Sequence, residues 1–121
     1  MSKFVVRKAA SGFKFDLRAV NGQTVATSEV YGALPGCLKG IESVQYNAPL
    51  APVEDQTVKD YEPEGNPKFS IFVDKAGEFR FHLKAENGEI IAASEGYKAK
   101  DSCLKGIESV RTNAFSADIV E

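Results

Sequence analysis

An α+β fold built from one small module written twice is what this sequence predicts, and three observations predict it. From Phe13 to Ala48 and from Phe79 to Ala114 the two halves align without a gap, with 21 of 36 positions identical, which marks a tandem repeat. Each aligned half opens on alternating apolar and polar residues, Phe13-Lys14-Phe15-Asp16-Leu17-Arg18-Ala19 and Phe79-Arg80-Phe81-His82-Leu83-Lys84-Ala85, the pattern of a strand with one buried face. The stretch Cys37 to Val44 then recurs letter for letter as Cys103 to Val110. Within it Cys37, Gly40, Ile41 and Val44 fall at helical spacing while Lys39 and Glu42 point away, so it reads as a helix with one buried face.

The elements follow in the same order in both halves. Extended runs open them, Phe4 to Arg7 and Phe69 to Val73, the second alternating Phe69, Ile71 and Val73 with polar neighbours such as Ser70,. The alternating strand comes next and leads to Asn21-Gly22 or Asn87-Gly88. Asn-Gly is the strongest two-residue hairpin signal, because both turn positions take positive φ. It predicts third strands over Gln23 to Ser28 and Glu89 to Ser94. A two-residue turn pairs Ala19 with Thr24, Arg18 with Val25, Leu17 with Ala26 and Lys14 with Glu29. Ala26 and Ala92 then share the core face with Phe15, Leu17, Phe81 and Leu83.

A loop carrying Tyr31 or Tyr97 leads into the helix. The helix is expected to begin near Pro35 and Asp101, residues suited to a first turn, and to end at Asn47 and Asn113, which tolerate the left-handed conformation of a C-cap. Ala48 to Val53 and Ala114 to Val120 read as short extended tails. The chain thus divides into two β-β-β-α-β repeats, 1–54 and 68–121, with an exposed linker over 55–67 rich in Asp, Glu, Pro and Gly,. A repeat of about 50 residues leaves sheet edges and apolar surface unmatched, so the two are expected to share one sheet and one core in a single compact domain.

Gly40 and Gly106 lie on the buried helix face, where glycine costs about 1 kcal/mol relative to alanine. Close approach of the helix to the sheet explains them; room for a ligand is the competing reading.

Residues Phe79 to Ala114 carry Phe-Arg-Phe-x-Leu-Lys-Ala-x-Asn-Gly-Glu-x-Ile-Ala-x-Ser-Glu-x-Tyr, then Gly-Ile-Glu-Ser-Val and Asn-Ala. This pattern resembles the repeat of the YegP-like family of bacterial proteins, a domain of unknown function often found in tandem. Phe13 to Ala48 match more loosely, with Val30, Gly32, Leu34, Pro35 and Gly36 departing before the helix. The resemblance spans nearly the whole chain apart from the linker and termini. It implies a single mostly antiparallel sheet, both helices on one face, and the last strand of each repeat exchanged into the other's half. It also implies that single-repeat relatives form the same object as dimers. No activity, substrate or catalytic residue comes with it.

Composition narrows the function classes. A formal net charge of −2 over 121 residues supplies no global basic field for nucleic acid or anionic membrane. Met1-Ser2-Lys3-Phe4 opens without an apolar signal region, and no run approaches the ~20 apolar residues of a membrane span, so a cytoplasmic protein is expected; the two fused repeats are expected to be monomeric or weakly dimeric. Cys37 and Cys103 occupy equivalent positions on the apolar helix face, as small buried hydrophobes or, alternatively, as a disulfide or redox pair. With one histidine and no CxxC, neither a metal site nor a cofactor is expected.

Two candidate sites remain. The register leaves Lys14, Asp16, Arg18, Val25 and Thr27, with Arg80, His82, Lys84, Ile91 and Ala93, on the sheet face opposite the helices. Arg18, Arg80, His82 and Lys84 are its candidate binding residues. These positions supply no aromatic for base stacking, and Lys14 with Glu29 and Arg80 with Glu95 are expected to neutralise each other as cross-strand pairs. The second candidate is a small repeated pocket formed by Ser28 and Tyr31, and by Ser94 and Tyr97, against the reading of a strand-end turn with a packing tyrosine. No nucleophile elbow, phosphate-binding glycine loop or Walker motif is present. The sequence therefore predicts a non-catalytic interaction or small structural module with a protein or peptide partner. A nucleic-acid or anion-binding module on the open basic face is the alternative, and a small enzyme using the Ser-Glu-Tyr pocket is a third class.

Overall fold

A computed structural model describes all residues, 1–121. The first repeat folds as β1 (Lys3–Ala9), β2 (Gly12–Arg18), β3 (Thr24–Thr27), α1 (Leu34–Asn47) and β4 (Val53–Asp55). The second folds as β5 (Lys68–Val73), β6 (Phe79–Lys84), β7 (Ile90–Ala93), α2 (Lys100–Ala114) and β8 (Asp118–Val120). All strands join one sheet in the order β4-β5-β6-β7-β3-β2-β1-β8. Each repeat is an antiparallel meander, and the two meet where β3 and β7 run antiparallel through Thr27 and Ala93.

The exchange is real and symmetric. β4 leaves the first repeat to pair in parallel with β5, and β8 leaves the second to pair in parallel with β1. Both helices pack on one face, α1 over β2 and β7, α2 over β6, β3 and β1. Each helix therefore clamps strands of both repeats. Beneath them Phe4, Phe15, Leu17, Ile41, Phe69, Ile71, Phe81, Leu83 and Ile107 are almost wholly buried in one continuous core. Phe4 meets Phe15, and Phe69 meets Phe81, edge to face at 5.6 and 5.8 Å, an arrangement favoured by the ring quadrupoles.

The hairpin turns differ from the two-residue form the sequence suggested. Gly22 N–H bonds Ala19 C=O, Ala19 N–H bonds Gln23 C=O, and only Gly22 takes positive φ, at 85°. This is a type I turn closed by a glycine bulge. The Asn21 side chain instead accepts the Gln23 N–H, and the second hairpin repeats the arrangement through Gly88 and Asn87.

The consequence reaches into the sheet. A register shift after Leu17 pairs Arg18 with Thr24, leaving Leu17 opposite Ala26 as expected; Leu83, Lys84 and Ile90 behave alike. Val25 and Ile91, expected on the open face, are buried and line clefts beside α2 and α1. The bulge thus adds two β-branched residues to the helix side.

Helix ends also depart from expectation. Ala48, which caps α1, is right-handed at φ −56°, so no left-handed cap forms there. Asn47 and Asn113 donate back to the carbonyl and hydroxyl of Ser43 and Ser109 instead.

Residues 58–66 are exposed, as a linker should be, but its ends are anchored at the β4 edge. Glu54, 2% exposed, accepts bonds from Lys68 Nζ at 2.8 Å, Gln56 Nε2 at 2.5 Å and Glu64 N–H at 2.8 Å. Burial pushes its pKa up, yet these donors hold it down at about 2. A carboxyl whose folded pKa lies below its unfolded value stabilises fully above the latter. Its contribution is therefore lost as pH falls from 4.5 toward about 2. Thermal melts across that interval are expected to show Glu54→Gln less stable than wild type at neutral pH and converging with it near the acid end. Parallel curves at all pH values would contradict this assignment.

Candidate functional site

Alternation places one row of residues across the open face of all eight strands. It runs Glu54, Ser70, His82, Ala93, Thr27, Asp16, Val5 and Val120 through successive pairings. Arg80, His82 and Lys84 alternate along β6 and stand on this face together. Arg18 stands on β2, separated from β6 by β7 and β3, hence about 14 Å away at ~4.8 Å per strand. The four candidate binding residues share a face but do not form one cluster.

The face's charges are paired differently from the sequence expectation. Arg7 Nε donates to Asp16 at 2.9 Å, and the Thr27 hydroxyl adds a bond to Asp16 at 2.7 Å. Burial of Asp16 works against its ionisation, but these two donors win and its pKa falls. Arg80 Nε donates to Asp74 at 2.6 Å and its Nη1 to the Ser94 carbonyl at 3.2 Å. Lys14 with Glu29, and Arg80 with Glu95, form no ion pair; hydrogen-bonding carboxylates on or beside the neighbouring strands take the arginines first.

Sequence reasoning missed one residue here. Phe72 lies on the same face, paired with Arg80, its ring 4.7 Å from that of His82. Burial first, then Lys84 and Arg80, lowers the His82 pKa, so this ring pair is uncharged at neutral pH. The alternation of Lys68, Ser70 and Phe72 against buried Phe69 and Ile71 was the signal that could have found it. In the first repeat the equivalent positions are Arg7 and Asp16, an ion pair.

The suspected Ser-Tyr pocket separates into two different things. Ser28 Oγ accepts the Phe15 N–H at 2.9 Å and donates to the Glu29 carbonyl at 2.7 Å; Ser94 does the same between Phe81 and Glu95. Both hydroxyls are buried and committed to the backbone, so they hold the end of a strand. Tyr31 and Tyr97 lie apart from them, against the helix glycines. A Cβ on Gly106 would stand 2.6 Å from the Tyr97 hydroxyl oxygen and 3.1 Å from the Phe81 ring, and Gly40 is crowded in the same way by Tyr31 and Phe15. The glycines make room for the tyrosines.

Each tyrosine also lines a cleft between one repeat's helix and the other repeat's hairpin. The first, about 260 Å³, lies between α1 and the β6–β7 hairpin and includes Tyr31, Lys39, Gly40, Ser43, Asn87 and Glu89. The second, about 350 Å³, lies between α2 and the β2–β3 hairpin and includes Tyr97, Lys105, Gly106, Ser109, Asn21 and Gln23. These sets correspond position for position. Burial of the two phenols raises their pKa values, with nearby Cys37, Glu29 and Glu89 adding to the effect at Tyr31 and Cys103 and Glu95 at Tyr97. Cys37 and Cys103 are free, fully buried thiols; burial pushes that of Cys103 up to about 11, which keeps it protonated and inert.

A doubled three-strand meander with exchanged tails defines a class of fused-repeat α+β proteins. Residues 9–55 and 74–121 each match the family model for a domain of unknown function, DUF1508, and the chain belongs to that family. A UPF0339 protein of Stutzerimonas stutzeri is 38% identical over 112 residues, covering 93% of this chain and 87% of that one. YegP of Escherichia coli O157:H7 is 34% identical, covering 93% and 89%. A Treponema denticola relative is 59% identical over 54 residues, 45% of this chain but 93% of its own length, so it spans one repeat. The solution structure of E. coli yegP, a protein of unknown function, superposes with a TM-score of 0.80 at 32% identity, covering 98% of this chain and 90% of that one. No helix of the chain is long and apolar enough to cross a membrane.

Proposed function

We propose that the protein is a non-catalytic binding module that presents the open face of its sheet to an acidic segment of a partner protein. The observation that supports this most directly is charge segregation. The open-face strand positions carry Lys3, Arg7, Lys14, Arg18, Lys68, Arg80 and Lys84 against Asp16, Glu54 and Asp118, in a chain whose net charge is −2. Arg7, Lys68 and Arg80 are already held by carboxylates, which leaves a mosaic of paired and free charge around small central residues. Such a mixed surface suits a polar protein contact better than a phosphate track, which needs its cations free. The hydroxyls of Ser28 and Ser94, bound to backbone, add no nucleophile to it.

Single-stranded nucleic acid is the second reading, and the Phe72–His82 ring pair favours it, since bases stack on such platforms. Capture from lysate of the source organism, comparing wild type with the Arg80→Glu, Lys84→Glu variant, separates the two. The expected result is a protein retained by the wild type, lost by the variant, and carrying an acidic segment. Loss of nucleic acid alone transfers the assignment to the second reading, and identical lists from both baits remove the open face from consideration.

A further inference from the structure

The paired clefts beside the helices differ in one charge. In the cleft between α2 and the β2–β3 hairpin, Lys105 is the one charged lining residue. Its twin has Lys39 in the same place but also Glu89 where the first has Gln23. We propose that the Lys105 cleft is a binding site for a small carboxylate with a short apolar body, and that its twin admits the same ligand only when Glu89 is neutralised. This surface is separate from the open sheet face and exists only because the two repeats share one sheet.

The chemistry follows from the lining. Lys105 supplies a point charge suited to a single carboxylate. The Tyr97 hydroxyl, held beside Gly106 by the absence of a Cβ, makes no hydrogen bond within the protein. Ser109 Oγ accepts from Asn113 Nδ2 at 2.9 Å, which directs its own proton elsewhere. Three donors thus border a space whose lining also includes the apolar side chains of Ala19 and Val25. Burying the alkyl body there and the carboxylate at the donors satisfies both ends, and a volume of about 350 Å³ accommodates a ligand of a few carbons,. In the twin, Glu89 repels the carboxylate and cancels Lys39.

Amide-resolved NMR of the full chain tests this, with butyrate as probe and butyramide as its neutral isostere. Butyrate is expected to shift the amides of Asn21, Tyr97, Gly106 and Ser109 saturably, at least tenfold more tightly than butyramide, and to leave Gly40 and Ser43 in place. Lys105→Gln is expected to abolish the response, and Glu89→Gln to bring Gly40 and Ser43 into the titration. Equal shifts from butyramide, shifts that survive Lys105→Gln, or no saturable response to butyrate would each overturn the proposal.

Discussion

A chain reduced to residues 61–121 is expected to fold only as a dimer. In the intact protein β5 is covered by β4 and β7 is joined to β3, so the isolated second repeat exposes both edges of its meander. α2 loses β3 and β1, two of the three strands it packs on. Two copies restore every contact if each β8 crosses to the partner's β5, as β8 crosses to β1 in the intact chain. The Treponema relative, one repeat long, shows that a single repeat exists as a protein of its own. Light scattering should return twice the chain mass, and the melting temperature should rise with concentration, as for any fold coupled to association. A monodisperse monomer with a cooperative melt would refute it.

Truncating Phe81 to alanine should remove about 3–5 kcal/mol, the range for a buried phenylalanine, from a total that for such domains is about 5–15 kcal/mol. The ring is fully buried, meets Phe69 edge to face and lies against Gly106, where the helix backbone is too close to relax into the cavity. In urea the midpoint is expected to fall with the slope unchanged. Phe15→Ala, its equivalent in the first repeat, should move the same single transition, because each helix packs on strands of both repeats. Two separable transitions would show that the repeats fold apart. Tyr46→Ala, at a residue 64% exposed, should stay within about 0.5 kcal/mol and serves as the control.

Local pattern was enough for most of the fold. The alternation in Phe13 to Ala19 set a strand and its buried face, the spacing of Cys37, Gly40, Ile41 and Val44 set a helix, and the internal repeat doubled both. Those signals are short-range, since side-chain period depends only on backbone geometry. The turn was half legible: Asn21-Gly22 marked its place, while the choice of a bulged turn rested on which residue takes positive φ, and that turned Val25 and Ile91 to the helix side.

The site was less legible because it depends on neighbours remote in sequence. Arg80 found Asp74 rather than Glu95, Phe72 met His82 through strand pairing, and Gly40 and Gly106 owe their small size to tyrosines from the preceding loops. The clefts join one repeat's helix to the other's hairpin, an adjacency created only when β3 meets β7 and the tails exchange. By itself the sequence determined which segments are strand and helix and which faces are buried. Only the tertiary structure decided which charges are neutralised and where clefts open, because both are set by distances across the sheet that no local pattern encodes.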